Sequence, residues 1–162
     1  MKKKLNNYAF IDSQNVNLSI KDQWWELDWK KLYKHLNKKY KTTKVFLFIW
    51  YIPSNQSLYT SLQSIWYILI FKPVLKLKSW KTKWNVDAEL VLQAMIEYSN
   101  YNKAIIITWD WDFACLIRHL RKRNKLRLLI VPNQKKYSCF LKFEAKWYID
   151  SLTNKRTKLE YM

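Results

Sequence analysis

Aspartate is scarce in this chain, and it stands where a parallel sheet would put it to use. Only 12 Asp and Glu residues face 30 Lys and Arg. Yet Asp12 closes the apolar segment "YAFID", and Asp110 and Asp112 follow directly on "AIIIT". Two carboxylates at the same edge of neighbouring strands repel unless a cation lies between them. Asp87, in "KWNVDAEL", opens a helical segment and can project toward the same edge. Carboxylates converging from separate segments form a site for a hard, oxygen-seeking ion such as Mg²⁺ or Mn²⁺, which activates water and holds phosphate oxygens during phosphodiester cleavage. Asn15 adds an amide three residues after Asp12, and Thr108 adds a hydroxyl; either could equally make a local turn bond. Asp112, before "FACLIRHL", could instead cap the helix that follows.

The elements that must carry these residues alternate. Short β-rich runs at 8–12, 44–51, 67–71, 103–108 and 126–131 are separated by segments of helical period at 14–20, 28–39, 56–65, 86–98 and 112–123, with a last helical segment at 137–152. Such alternation predicts βαβ units and an α/β, Rossmann-like three-layer sandwich with a central, mostly parallel five-stranded sheet. Asp28 is placed to cap helix 28–39, with Leu32, Tyr33, Leu36 and Tyr40 spaced along one face. In helix 86–98, Leu90, Ala94 and Tyr98 share a stripe. "AIIIT" and "LRLLIV" are apolar at nearly every position, as strands covered on both faces are. In such sheets ligands bind outside the carboxyl ends of the strands, the edge to which Asp12, Asp110 and Asp112 belong.

Composition bounds the function classes. At 162 residues the chain is the length of one domain, and no linker or repeat divides it. The longest apolar runs are too short to span a bilayer, so no membrane is expected. "MKKKLNNY" lacks an apolar leader, from which a cytoplasmic location is expected. Cys115 and Cys139 lack the paired spacing of a zinc site and are read as buried, reduced thiols. A net charge of +18 suits a polyanionic partner. Arg118, Arg121, Lys122 and Arg123, followed by Lys125 and Arg127, offer contacts to backbone phosphates, or the solvated face of a helix whose C-terminal cations complement its dipole. Lys72, Lys76, Lys78, Lys81 and Lys83 lead up to Asp87 as a strand-guiding segment. Tyr51, Trp66 and Tyr67 could stack bases, or pack at the sheet edge. His35 and His119 have no acid within sequence reach and are assigned no catalytic role.

One anomaly runs through the chain. Average usage of about 7% would give roughly 11 glycines, but there are none, against 10 tryptophans. Trp50, Trp80, Trp84, Trp109 and Trp111 stand where turns would favour glycine. A codon read as Trp here but as Gly in the native organism, as where UGA is reassigned, would put tryptophan at these places; Trp29, on an amphipathic helix, reads as a true tryptophan.

Three blocks, "YAFIDSQNVNLSI", "KTKWNVDAELVLQAM" and "AIIITWDWDFACLIRHLRKRNKLRLLIVP", resemble in order the signature blocks of NYN domains, PIN-like ribonucleases. The resemblance spans about 8–132. It matches Asp12 and Asn15 to the first block, Asp87 to the second with Trp84 in a glycine place, and Thr108, Asp110, Asp112 and Phe113 to the "[ST]GDxDF" block with Trp109 as its glycine. It implies a divalent ion, Mg²⁺ or Mn²⁺, held by Asp12, Asp87, Asp110 and Asp112, with RNA as substrate. Arg118, Arg121, Lys122, Lys81 and Lys83 are the expected substrate contacts. A further acid frequent in the family falls here on Gln93, and Glu89, two residues along the helix from Asp87, is turned away. An RNA-binding module without turnover is therefore the alternative. A homodimer is compatible with the sequence. A nucleotide-binding Rossmann enzyme is set aside because no Gly-rich phosphate turn is present even with Trp read as Gly.

Overall fold

A computed structural model describes residues 5–73 and 87–162. Six strands, β1 (Asn7–Asp12), β2 (Thr42–Tyr51), β3 (Tyr67–Pro73), β4 (Ala104–Ile107), β5 (Leu126–Val131) and β6 (Ile149–Ser151), form one sheet in the order β3-β2-β1-β4-β5-β6. Every neighbouring pair is parallel. The helices are α1 (Ser13–Lys21), α2 (Trp29–Tyr40), α3 (Gln56–Ser64), α4 (Asp87–Ile96), α5 (Ala114–Lys122), α6 (Cys139–Ala145) and the short α7 (Arg156–Leu159).

Alternation along each strand divides the core in two. Tyr8 and Phe10 of β1 pack with Phe46, Phe48 and Ile106 under Leu90 and Ala94 of α4 and Leu116, Ile117 and Leu120 of α5. Ala9 and Ile11 face the other way, with Val45, Leu47, Ile105 and Ile107 under Val16 and Ile20 of α1 and Leu32 and Leu36 of α2. Both faces of β1 and β4 are thereby covered, which explains their unbroken apolar sequence. The Asp28 side chain caps α2 by accepting from Lys31 N at 2.9 Å. Tyr98 falls just beyond α4 but still packs against the core that Leu90 and Ala94 enter.

Three expectations are corrected. The sheet has six strands rather than five, and is wholly parallel. The segment 137–152 is not one helix: α6 ends at Ala145, Lys146 takes φ 53°, and Ile149–Ser151 pairs with Leu129–Val131 as β6. Cys115 and Cys139 are exposed free thiols, not buried ones.

The tryptophan anomaly also takes a different shape. Trp50, Trp109 and Trp111 do not have positive φ; Trp50 is a buried strand residue. Trp80 and Trp84 lie outside the described residues. The tryptophans that do occupy the left-handed region are Trp24, φ 60°, and Trp66, φ 85°. Each sits just past the end of a helix, where glycine is favoured, and they are 90% and 78% exposed.

No helix among the described residues is long and apolar enough to cross a membrane.

Candidate active site

The strand order reverses between β1 and β4: the chain winds outward through β2 and β3, then returns to the other side of β1. At such a switch point the connections leave in opposite directions and open a crevice at the carboxyl edge. Asp12 ends β1 on one side of it, and Asp110 follows β4 on the other.

Asp12 is only 2% exposed. Its carboxylate caps α1, with Oδ1 accepting from Asn15 N at 3.2 Å and Oδ2 accepting from the Asn15 side-chain amide. Beside it the Ser13 hydroxyl donates to Phe48 O at 2.7 Å and ties the start of α1 to β2. Burial pushes the Asp12 pKa up from 3.8 to about 6, against the two Asn15 bonds that hold it down; the charge of Asp110 adds to the rise. The two carboxylates are therefore close enough to repel.

Asp110 is set by a local lattice of bonds. Thr108 is completely buried, and its hydroxyl accepts from Asp110 N at 3.2 Å. Asp110 Oδ1 accepts from Asp112 N at 3.1 Å and caps the 3-10 turn Trp111–Phe113, which drives Phe113 into the core. Asp110, not Asp112, is thus the capping residue. Asp112 is exposed, and its backbone O accepts from the Cys115 thiol at 3.7 Å. Asn15 and Thr108 both make the local bonds that sequence left open, and both orient an aspartate by doing so.

Asp87 is the first residue of α4, which lies over β1; its side chain falls outside the described part. Glu89 instead pairs with Lys72 Nζ at 3.2 Å, and the Gln93 amide bonds Glu97 at 3.4 Å. Among the described residues no three His, Cys, Asp or Glu side chains gather as a metal site. Asp12 and Asp110, which share this edge of the sheet, offer hard oxygens, and the raised pKa of a buried Asp12 marks a negative charge that the protein alone does not neutralise. That donor set fits Mg²⁺ or Mn²⁺.

The cations fall into two groups. α5 leaves the acidic edge and returns to the start of β5, so Lys122 lies eight residues, roughly 12 Å, along the helix from Ala114. Arg118 Nε binds Glu144 Oε1 at 2.8 Å, and Arg121 binds the same carboxylate at 3.5 Å and its backbone O at 2.5 Å. Lys125 donates to Tyr98 O and Tyr101 O, and Arg127 lies over the Tyr40 ring. Lys76, Lys78, Lys81 and Lys83 lie outside the described residues. Two cations missed from sequence, Lys135 and Lys136, are exposed in the loop after β5, at the acidic edge, with Lys136 3.9 Å from the Asp22 carboxylate; the signal was a lysine pair beginning four residues after the apolar run "LRLLIV". Tyr67 is buried against Trp29 and Tyr33, whereas Tyr51 and Trp66 are exposed. His35 is half-buried on α2 and His119 exposed on α5.

Similarity to known proteins agrees with this architecture. A solved structure, of a protein of unknown function from Vibrio parahaemolyticus RIMD 2210633, superposes with a TM-score of 0.81 over 99% of both chains at 14% identity, a likeness of fold. No curated protein matches the chain. The family model described as "NYN domain" matches residues 8–152, and with that span taking in both edges of the crevice the chain belongs to the NYN domain family, whose members share a PIN-like nuclease fold.

Proposed function

We propose that the protein is a metal-dependent ribonuclease that hydrolyses RNA phosphodiester bonds at the β1/β4 crevice. The observation that carries the proposal is the juxtaposition of Asp12 and Asp110 across the switch point, with the Asp12 pKa raised to about 6 by burial and by its neighbour's charge. A carboxylate held at such a disadvantage is what a divalent cation stabilises on binding. Asp12 and Asp110 would hold Mg²⁺ or Mn²⁺, with Asp87 and Asp112 as further or water-mediated ligands. When bound, the ion supplies an activated water and charge neutralisation at phosphate.

The chain's own residues do the positioning. Asn15 fixes both oxygens of Asp12, and Thr108 fixes the peptide that aims Asp110. No protein nucleophile is required. Lys135 and Lys136 stand at the same edge to meet backbone phosphates, and the net charge of +18 draws the polyanion in. RNA is the proposed partner, met in the cytoplasm.

One observation favours a second reading, an RNA-binding module without turnover: Gln93 stands where a further acid is frequent in the family, and its amide is turned to Glu97. Cleavage of a labelled single-stranded RNA with Mg²⁺ or Mn²⁺, beside Asp12→Asn and Asp110→Asn, separates the two. Metal-dependent cutting by the parent chain and its loss in both variants supports the nuclease. RNA that binds and stays intact with every metal supports the binding module.

A further inference from the structure

A cleft of about 270 Å³ opens on the α1 side of the sheet, one residue from Asp12. Leu47 and Ile49 of β2, Trp29 of α2 and Leu62 of α3 give it apolar walls, and Ser13 and Gln14 form the rim nearest the aspartates. That rim is rigid, because the Ser13 hydroxyl is bonded to Phe48 O. Three amides, Gln14, Asn17 and Asn55, edge the opening. Their side chains make no hydrogen bond to the protein among the described residues. Each therefore keeps a free donor and a free acceptor.

We propose that this cleft holds one nucleobase of the RNA, belonging to a nucleotide beside the phosphate at Asp12 and Asp110, and that Gln14, Asn17 and Asn55 read its edge. It rests on the ribonuclease proposal for the polymer it serves. A nucleobase has two apolar faces and a polar rim of donors and acceptors, which is the pattern of the cleft. The volume lies just below the usual range for small-molecule pockets, which suits a single ring system and excludes a stacked pair. The indole of Trp29 supplies an aromatic wall, a sequence-tolerant contribution to base binding, and the amides supply the discrimination. A site that hydrogen-bonds a ligand edge rejects the ligand lacking it, because its own polar groups are then left unpaired.

The test has two arms. In the first, each of the four nucleoside 5′-monophosphates is added to the metal-free protein, and the side-chain amide NMR signals of Gln14, Asn17 and Asn55 are followed. Selective movement of these signals with one or two of the bases is expected. In the second, base preference in RNA cleavage is compared among the parent chain, Asn17→Ala, Asn55→Ala and Leu58→Trp, the last filling the cleft from an exposed position. Discrimination falling about tenfold for each amide lost is expected. If the parent cuts no RNA while the amide signals still move with a base, the nuclease proposal fails and the base site stands. If RNA is cut with the same base profile by all four proteins and no amide signal responds, the base site is overturned and the nuclease remains.

Discussion

Replacing Asp12 by Asn should make the metal-free protein more stable while removing its function. In the folded chain the Asp12 carboxyl titrates at about 6 rather than 3.8, so the folded state binds this proton more tightly than the unfolded state does. Stability contributed by the group is then complete below about pH 4 and is lost as pH rises through 6. The shift of about 2 units corresponds to about 3 kcal/mol at neutral pH. The amide introduced by Asp12→Asn would carry no charge to desolvate, would still accept from Asn15 N as a good helix cap, and would meet a flipped Asn15 amide. A gain of about 3 kcal/mol moves the melting temperature by roughly 6 to 12 °C in a chain of this size. The assay is thermal unfolding of both proteins in EDTA across pH 4 to 8. The advantage of Asp12→Asn should be full near pH 7.5 and fade toward pH 4. Mn²⁺ should then raise the melting temperature of the parent alone, since a ligand stabilises only the state that binds it. A variant less stable than the parent at pH 7.5 in EDTA, or a difference independent of pH, would refute the reasoning.

Other substitutions separate structural from functional charge. Arg121→Ala should cost about 2 kcal/mol in chemical denaturation, because Glu144 is only 5% exposed and loses one of its two arginines. The double change Lys135→Ala and Lys136→Ala should leave stability unchanged and weaken RNA binding, lowering the salt dependence of log K by about 1 to 1.5, whereas Lys122→Ala should move it less; equal effects would place the RNA path elsewhere. Trp24→Gly and Trp66→Gly should each stabilise the fold by about 1 kcal/mol, since left-handed φ is relieved and only part of the gain is offset by a more flexible unfolded chain. An intact mass of the protein from its native organism would show which residue stands at each of these positions.

How far the fold could be read from sequence depended on which force built each element. β1 and β4 are buried at every position and β5 at four of its six, so burial fixed most of their composition and they were legible as apolar runs. α2 announced itself through Asp28 and the spacing of Leu32, Leu36 and Tyr40, all now seen in the cap and the core. β6 was hidden for the opposite reason. Its three residues include Asp150, which binds Lys155 and Tyr40, and nothing in "IDS" is strand-like until β5 offers an edge to pair with. A short edge strand is made by its neighbour, and local pattern carries no trace of it. The left-handed tryptophans were missed similarly: composition showed that glycine was lacking, but only the helix ends show that Trp24 and Trp66 fill its places.

The site was legible to the extent that topology placed it. Strand ends and the carboxyl-edge rule directed attention to Asp12 and Asp110, and the structure puts both at the switch point. Sequence could not apportion the work between Asp110 and Asp112, because two residues so close compete for the same capping bond and only the backbone path decides the winner. Charge was the poorest guide. Arg118 and Arg121 form the densest basic run with Lys122 and Arg123, yet they are drawn to Glu144, 26 and 23 residues further on, a partner no local window contains. Lys135 and Lys136 make a weaker cluster in sequence but sit in a loop at the edge where the aspartates are. In a chain carrying +18 cations are plentiful everywhere, so their density says little about where a polyanion binds. The informative charges are the rare ones, and a buried aspartate that feels the charge of another aspartate is the rarest of these.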